Sequence, residues 1–255
     1  MSSYGIWLSA AGMRVNDHRQ TVLANNMANA DTNGFKRDLA VIRERSVESL
    51  ARPGGFGLTH PLLDGLAGGV DVRPTHYSFA QGSIETTGRA LDVAIQGDGF
   101  FEVRNGEETR YTRNGSFTIN GQGELVLTSG DGRWRVLDES GGPIQLEPSA
   151  GPVSISHDGT IRQGNAVAGT IRMMTTADKQ SLRKVGEGLF DLVRGEMVAI
   201  QGRLVPRAVE KSNFDVMQGL ASMIETTRAY QMNATMIRLQ DGVTDRAINT
   251  VGRMV

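Results

Sequence analysis

Apolar residues near the C-terminal end recur at alternating four- and three-residue steps between residues 216 and 251. Eight of the eleven recurring positions are apolar, the spacing that forms the seam of a coiled coil. The pattern predicts a helix of about 35 residues with one face that another helix must cover. The recurring positions are Val216, Leu220, Met223, Thr227, Tyr230, Ala234, Ile237, Asp241, Thr244, Ile248 and Val251.

A second apolar stripe lies near the start of the chain and predicts a partner for the first. Its members follow one another at three-, four- and seven-residue steps, with Leu23 and Met27 widening the stripe. Asn33-Gly34 is predicted to end this helix, because glycine accepts the left-handed conformation of a helix cap and Phe35 can fold back over it. Residues 1–35 are therefore assigned to the N-terminal helix of a stem. The stripe consists of Leu8, Ala11, Val15 and Val22.

Residues 36–75 are predicted to connect the stem to the rest of the chain. The mixture of Arg, Glu and Leu over residues 36–50 favours a shorter helix, and residues 52–55 interrupt it with proline and glycine. A loop is expected from there to about residue 69.

The middle of the chain has the pattern of an all-β domain. Of the 32 glycines, 26 lie between residues 54 and 202, and the segments between them are short and alternating. Asn105-Gly106, Asn114-Gly115, Asn120-Gly121 and the glycines of 97–99 are predicted hairpin turns. The predicted strands are 91–95, 100–103, 124–127, 134–137, 153–155, 170–174 and 189–193.

These elements predict an α+β fold. A Gly-rich central β domain spans 76–210, and the N- and C-terminal helices pair as a coiled-coil stem. The C-terminal helix is assigned to 211–255, with Ser212-Asn213 as its N-cap. A helix of 35 residues is roughly 50 Å long, more than a β domain of this size can cover. Since each buried apolar side chain gains about 1.5–3 kcal/mol, neighbouring molecules are expected to cover the rest.

Composition narrows the possible functions. The net charge is −1 and charges of both signs are interspersed, so we expect no nucleic-acid partner. Cysteine is absent, which excludes disulfides and thiolate metal sites. The N-terminal apolar run is short and is interrupted by Arg14, so we expect neither a cleaved signal peptide nor membrane insertion.

No catalytic, metal or cofactor site is expected. The four histidines, His18, His60, His76 and His157, have no partner at ligand spacing. Gly97-Asp98-Gly99 lacks the third glycine and the helix of a dinucleotide-binding loop. A carbohydrate-acting enzyme would need paired carboxylates, for which Asp92, Asp98 and Glu102 are only weak candidates.

Four segments resemble the flagellar basal-body rod and hook proteins. Segment 24–37 is an Asn-rich helix end that continues into Thr32-Asn33-Gly34-Phe35-Lys36 and resembles the N-terminal signature of that family. Segments 91–101 and 111–117 resemble its central β motifs, and 212–230 its C-terminal motif. The departures, such as Met27 in place of leucine, are small. Gln218, Gly219 and Gln231 differ where the family often has glutamate, which bears on polar contacts between subunits.

The resemblance implies a structural subunit of the rod that crosses the periplasm. Such subunits are exported by the type III apparatus of the flagellum without a cleaved signal, and their terminal helices form an inner coiled-coil tube that transmits torque. The implied partners are further copies, other rod and hook subunits and the export apparatus, with no small-molecule substrate. The candidate assembly residues are Leu8, Ala11, Val15, Val22, Asn25, Asn26, Asn29, Asn33, Gly34, Phe35, Leu220, Met223, Tyr230, Ala234, Ile237, Ile248 and Val251.

Two alternatives remain open at this point. The length resembles proximal-rod and distal-rod subunits more than the longer hook protein. Segments 241–242 and 246–249 are similar to the proximal type, and loop 51–69 to the distal type. A different class of function, a β-domain binding module on a closed helical stalk, would use the same two stripes.

Overall fold

The computed structural model describes residues 2–44, 69–147 and 150–251. The chain divides into two compact units. The helical unit comprises Met1–Met27, Asp38–His76 and Asp215–Val255, and the β unit comprises Ala28–Arg37 and Tyr77–Phe214. Terminal helices and a central β-rich domain together form the α+β fold that the sequence predicts.

Both predicted long helices are present. Helix α1 spans Ser2–Ala28 and helix α2 spans Val216–Val251. In the described part of the chain, neither helix carries an apolar stretch that is long enough to cross a bilayer.

Helix α1 ends earlier than the sequence predicts. The prediction carried it to about residue 32, with Asn33-Gly34 as its cap. In the structure the helix ends at Ala28, and a turn follows in which the Thr32 amide donates to the Asn29 carbonyl (3.2 Å). The Thr32 hydroxyl also bonds to the Asn29 side chain (3.3 Å). Such side chains compete with the helical backbone for hydrogen bonds, which accounts for the early end.

The cap of α2 also differs from the prediction. Asp215 performs this role, because its carboxylate accepts hydrogen bonds from the amides of Met217 (2.9 Å) and Gln218 (3.1 Å). Ser212-Asn213, the predicted cap, lies in the β unit and makes other contacts there.

Strands account for the remaining regular structure apart from short 3-10 turns. The described strands are β1 (Asp38–Glu44), β2 (Val70–Tyr77), β3 (Ile84–Thr86), β4 (Val93–Gln96), β5 (Phe100–Asn105), β6 (Glu108–Thr112), β7 (Phe117–Ile119), β8 (Leu125–Leu127), β9 (Arg135–Val136), β10 (Val153–Ile155), β11 (Thr160–Gln163), β12 (Ala166–Thr170), β13 (Met173–Thr175), β14 (Leu182–Gly186), β15 (Leu189–Leu192), β16 (Val198–Ala199), β17 (Arg203–Pro206) and β18 (Ala208–Glu210).

The segment that follows the N-terminal signature is a strand. The prediction of a helix over 36–50 is wrong for residues 38–44, which form β1 and pair with β2. Val41 and Ile42 favour this outcome, since β-branched side chains pack well on a pleated surface. Residues 45–68, which include most of the predicted loop, lie outside the described part of the chain.

The β unit is built around a nine-stranded sheet that includes the order β14-β15-β6-β5-β9-β8-β7, with β13 paired to β5 and β16 paired to β13. A three-stranded sheet, β10-β11-β12, and the pairs β17-β4 and β18-β3 accompany it. Phe101, Phe117, Leu125, Ile161 and Leu204 are completely buried in the main core cluster. A second, smaller core cluster consists of Phe100, Leu182 and Phe190.

Two of the four predicted hairpins are correct. Asn105-Gly106 joins β5 to β6, and Asn120-Gly121 begins the turn between β7 and β8. The other two predictions are wrong, because β4 pairs with β17 rather than with β5, and β7 pairs with β8 rather than with β6. Gly115 instead allows a close approach: a Cβ at that position would lie 1.7 Å from the carbonyl oxygen of Val93.

Candidate functional site

The segments that carry the N-terminal, central and C-terminal motifs meet in the β unit around Glu210. The Glu210 carboxylate accepts hydrogen bonds from Lys36 Nζ (2.5 Å), from a guanidinium nitrogen of Arg113 (3.2 Å) and from the Gly82 amide (2.9 Å). The three charged side chains, which we call the Glu210 cluster, are at most 2% exposed. A position at the end of β18 therefore holds parts of the chain that are far apart in sequence.

The Glu210 cluster has an unequal charge balance, with two cations against one carboxylate. Burial lowers the pKa of Lys36, and the negative charge of Glu210 opposes that shift. Burial likewise lowers the pKa of Arg113. Backbone carbonyls supply the further partners: Lys36 donates to Ala80 (2.8 Å) and Arg113 to Gly97 (2.7 Å).

Gly34 brings the N-terminal signature into contact with the central motif. Its amide donates to the backbone carbonyl of Glu210 (2.7 Å), and its φ is +69°. A Cβ at this position would lie 2.4 Å from the carbonyl carbon of Arg113. Glycine is therefore required here for close packing within the β unit, and not as the helix cap that the sequence predicts.

Phe35 is buried beside this contact, with 6% of its surface exposed. The ammonium of Lys184 lies 3.9 Å from the centre of its ring. Phe35 thus packs in the β unit by apolar burial and a cation–π contact.

Asn213 fastens the C-terminal motif to the same region. Its side-chain oxygen accepts the Arg37 amide (2.7 Å), and its side-chain nitrogen lies 2.8 Å from the carbonyl oxygens of both Ser78 and Ala80. The backbone amide of Asn213 donates to the Phe35 carbonyl (3.3 Å). The asparagine that the sequence suggests as a cap is instead a connector of three backbone segments.

The asparagines of the N-terminal signature have different environments. Asn26 is 2% exposed and brackets the start of β1, accepting the Asp38 amide (2.7 Å) and donating to the Asp38 carbonyl (2.9 Å). Asn29 takes part in the turn after α1, Asn25 is exposed and Asn33 is half-buried. Of the four, Asn26 is the one that fixes where a neighbouring strand begins.

Within the helical unit, α1 and α2 contact each other in antiparallel order. A Cβ on Gly5 would lie 2.6 Å from the side-chain nitrogen of Gln240, and one on Gly12 would lie 2.9 Å from that of Asn233. Farther along, the Gln20 amide donates to the Thr227 hydroxyl (2.8 Å). Each contact pairs a small or polar residue of α1 with a polar residue of α2.

The N-terminal stripe lies where the sequence places it, since Ala11, Val15 and Val22 are buried and Leu8 is half-buried. The seam predicted for α2 is only half correct. Two of its predicted members, Leu220 and Ile248, are 46% and 64% exposed. The less exposed positions of α2 form a different set, which follows four- and three-residue steps as well. These positions are Gly219, Met223, Thr226, Tyr230, Asn233, Ile237, Gln240 and Thr244.

Met223, Tyr230, Ile237 and Thr244 belong to both the predicted and the observed seam, and the predicted Thr227 and Ala234 are half-buried beside them. The shift by one residue at alternate positions has a physical cause. Glycines at positions 5 and 12 leave space for amide side chains, so polar residues occupy positions at which an apolar residue would be expected. The side chain of Val251 lies outside the described part of the chain.

The other side of α2 carries many exposed apolar side chains. Nine of the fifteen exposed large apolar side chains in the described residues belong to this one helix. Seven of them form what we call the outer stripe, each with 46–76% of its surface exposed. The outer stripe consists of Met217, Leu220, Ile224, Met232, Met236, Leu239 and Val243.

The titratable candidates for chemistry are engaged in structural contacts. Asp92 accepts the hydroxyls of Thr87 (2.7 Å) and Ser116 (3.2 Å), and Glu102 pairs with Arg172 (3.1 Å). A hydrogen bond from Lys179 lowers the pKa of Asp98.

The structure gives a contact for one of the described histidines. His157 Nδ1 lies 2.8 Å from the carbonyl oxygen of Leu204, and His60 falls outside the described residues. No group of three possible metal ligands occurs among residues 2–44, 69–147 and 150–251.

Sequence reasoning quoted Lys36, Arg113 and Asn213 within motifs but assigned none of them an assembly or docking role, and it did not select Glu210. The signal in the sequence that could have identified Glu210 is its position directly after the apolar pair Ala208-Val209.

Comparisons with known families agree with this distribution of motifs. Residues 9–36 match the model of the flagella basal body rod protein, residues 94–163 that of the flagellar hook protein FlgE/F/G D1 domain, and residues 205–250 that of the flagellar basal body rod FlgEFG protein C-terminal region. The matched ranges contain Lys36, Arg113 and Glu210, so each contributes one member of the Glu210 cluster.

Characterised relatives match over nearly their whole length. The flagellar basal-body rod protein FlgG of Buchnera aphidicola from Schizaphis graminum is 31% identical over 254 residues, which covers 92% of this chain and 95% of the relative. FlgF of Caulobacter vibrioides is 31% identical over 236 residues, covering 91% of each chain. FlgG of Bacillus subtilis is 30% identical over 267 residues, covering 96% of this chain and 97% of the relative.

Proposed function

The chain belongs to the family of flagellar basal-body rod proteins, and on this premise we propose that it assembles with further subunits through the outer stripe of α2. It is a structural subunit of the flagellar basal body and not an enzyme. The proposal concerns how it polymerises and which face does so.

The concentration of exposed apolar side chains on one helix carries the proposal. Met232, Met236, Leu239 and Val243 follow one another at four-, three- and four-residue steps, so they lie along one side of α2. Complete burial of such a side chain gains about 1.5–3 kcal/mol. Because these residues retain roughly half or more of their exposure, covering them recovers several kcal/mol for each subunit added.

Helices α1 and α2 supply the second part of the mechanism. We propose that they pair as an antiparallel coiled-coil stem within one subunit, with the contacts at Gly5, Gly12 and Gln20 setting the register. Polar residues in a seam specify alignment at a cost in stability. Such a stem is marginal alone and becomes more ordered when a neighbouring subunit covers its outer stripe.

We propose that the outer stripe contacts a different surface on the next subunit, which makes the contact heterologous. A heterologous contact repeated with a fixed rotation that does not close generates a helical tube. A tube of packed helices can transmit torque along its axis. Further copies and other rod and hook subunits are the proposed partners, with delivery by the flagellar export apparatus.

The test is the molar mass of the purified full chain, measured by sedimentation velocity over a range of concentrations. We expect an open series of assemblies whose mean size grows with concentration. Met236→Ser combined with Leu239→Ser should shift the onset of assembly to at least about tenfold higher concentration, because the burial lost is worth more than 1.4 kcal/mol.

Gln231→Ser combined with Arg238→Ser is the matched control. It changes two exposed positions of the same helix, and because Gln, Arg, Leu and Met have similar helix propensities, the helix is weakened by a similar amount. Equal effects of the control and the Met236/Leu239 variant would refute the role of the outer stripe. A fixed trimer at all concentrations would instead support a closed helical stalk.

A further inference from the structure

Four Asn-Gly pairs occur in the chain, at residues 33–34, 105–106, 114–115 and 120–121. This dipeptide is chemically labile, because the unhindered glycine nitrogen can attack the preceding asparagine side chain. The attack requires a free side-chain amide and a backbone that can rotate. The structure constrains the four pairs to different extents.

Two of the pairs are held by strong local contacts. The Gly34 nitrogen, which would have to attack, already donates to the Glu210 carbonyl (2.7 Å) in a buried environment. Asn114 is 7% exposed, and its side-chain oxygen accepts the Ser116 amide (3.0 Å). Neither pair can react without disruption of its surroundings.

The third pair is held by its own turn. The Asn120 side-chain oxygen accepts the amides of Gln122 and Glu124, each at 2.9 Å. Its side-chain nitrogen donates to the Glu124 carboxylate (2.9 Å). These three hydrogen bonds fix the side chain that the reaction has to move.

The fourth pair has none of these constraints. Asn105 is the last residue of β5 and pairs with Glu108, so it forms the final rung of its hairpin. Gly106 has a φ of +59° and open space around its Cα. Among the described residues, neither the Asn105 side chain nor the Gly106 amide has a hydrogen-bond partner, and opening one terminal rung frees the backbone.

We propose that Asn105 is the site at which the folded protein undergoes spontaneous deamidation. The Gly106 nitrogen forms a bond to Asn105 Cγ, the Cγ–Nδ2 bond breaks, and ammonia leaves with the transferred proton. Water then opens the resulting succinimide at either carbonyl and yields aspartate or isoaspartate. Either product places a carboxylate opposite Glu108, where like charges destabilise the hairpin end.

The experiment compares the four sites within one sample. The folded full chain and the same chain in urea are incubated at mildly alkaline pH, and peptide mapping by mass spectrometry follows the conversion at each asparagine. In urea all four sites should react at similar rates. In the folded chain Asn105 should react at least about tenfold faster than the other three asparagines, because reaction at those sites first has to break their extra hydrogen bonds.

The variant Asn105→Gln should remove the dominant modified peptide and leave the remaining three sites unchanged. After incubation of the folded chain without the substitution, an isoaspartate methyltransferase should label the peptide that contains residue 105. Folded-state reaction at Asn120 as fast as at Asn105 would overturn the assignment. Absence of measurable reaction at Asn105 in the folded chain, while it reacts in urea, would do the same.

Discussion

The unequal charge balance of the Glu210 cluster predicts that substitutions of Glu210 and of Lys36, the two partners of one ion pair, differ in their cost to stability. Glu210→Gln removes the single carboxylate and leaves Lys36 and Arg113 as buried cations that face each other. Lys36→Met removes one cation and leaves a matched pair of Arg113 with Glu210. We therefore expect Glu210→Gln to be much more destabilising than Lys36→Met, although each breaks the same 2.5 Å contact.

The magnitude follows from the burial of the partners. Removing one partner of a buried ion pair costs about 3–5 kcal/mol when a charge remains uncompensated. Lys36→Met loses a charge-assisted hydrogen bond and the contact with the Ala80 carbonyl, but it relieves a like-charge repulsion. A net cost of roughly 1–2 kcal/mol is expected for that variant.

The two tryptophans make the assay specific to the β unit. Trp134 lies in the β unit and is 6% exposed, whereas Trp7 lies in α1. In a Trp7→Phe background, urea unfolding followed by fluorescence reports the free energy of unfolding of the β unit alone. Glu85→Gln is the control, because its contact with Lys211 is 4.0 Å long and solvent-exposed and should contribute less than about 1 kcal/mol.

Equal costs for Glu210→Gln and Lys36→Met would refute the reasoning, since the argument depends on the second cation. A larger cost for Lys36→Met would refute it as well. In the double variant Lys36→Met/Glu210→Gln, one buried cation remains instead of two. Its cost should therefore be lower than the sum of the two single variants, and additivity would also contradict the proposed coupling.

Two further predictions concern the same region. Gly34→Ala should destabilise the β unit by at least about 1–2 kcal/mol, because the left-handed backbone disfavours a Cβ and that atom would collide with the Arg113 backbone. An unchanged midpoint of urea unfolding would contradict this prediction. Because the pKa of Lys36 is lowered in the folded chain, Lys36 binds a proton more tightly in the unfolded chain than in the folded chain. Between the lowered pKa and 10.5, the free energy of unfolding contributed by this group therefore rises with pH. The difference in unfolding free energy between the unmodified chain and Lys36→Met should therefore shift in favour of the unmodified chain as the pH rises through that range, and a pH-independent difference would refute it.

The class of fold could be predicted because its signals are local. The strand candidates 124–127, 134–137, 153–155 and 189–193 all contain observed strands, since alternation and turn residues act over a few positions. The two long helices follow from periodicity alone. Hairpins were predictable where the two strands are adjacent in sequence, and not where a strand pairs with a distant partner, as β4 does with β17.

The convergence at Glu210 could not be predicted from periodicity. Lys36, Arg113 and Glu210 are separated by long stretches of chain, and a charged residue in a sequence is normally expected at the surface. Their burial depends on tertiary contacts that bring one carboxylate and two cations together. Recognising the motifs located these residues, but only the structure gives them partners.

Asn33-Gly34-Phe35 shows why a correct local rule can give a wrong assignment. The tripeptide satisfies the requirements of a helix cap, and Gly34 does adopt the positive φ that such a cap uses. The same backbone freedom serves a different purpose here, because it lets the chain approach the Arg113 backbone without a side chain in between. A local pattern specifies the conformation of a residue, and the rest of the fold decides what that conformation is used for.

The seam of α2 illustrates the complementary case, in which the pattern depends on its partner. Steps of four and three residues were correctly predicted, but alternate positions are shifted by one residue, so Asn233 and Gln240 face α1. That shift is allowed because Gly12 and Gly5 lie opposite and offer backbone instead of side chains. The predicted seam therefore overlaps the face of α2 that contacts α1, and Leu220 is the one residue that it shares with the outer stripe. On the proposed mechanism the outer stripe remains free within a subunit because it is needed between subunits. The four- and three-residue steps thus locate the contact within the chain to within one residue, whereas the surface proposed for assembly is recognised from the exposure of its apolar side chains in the structure.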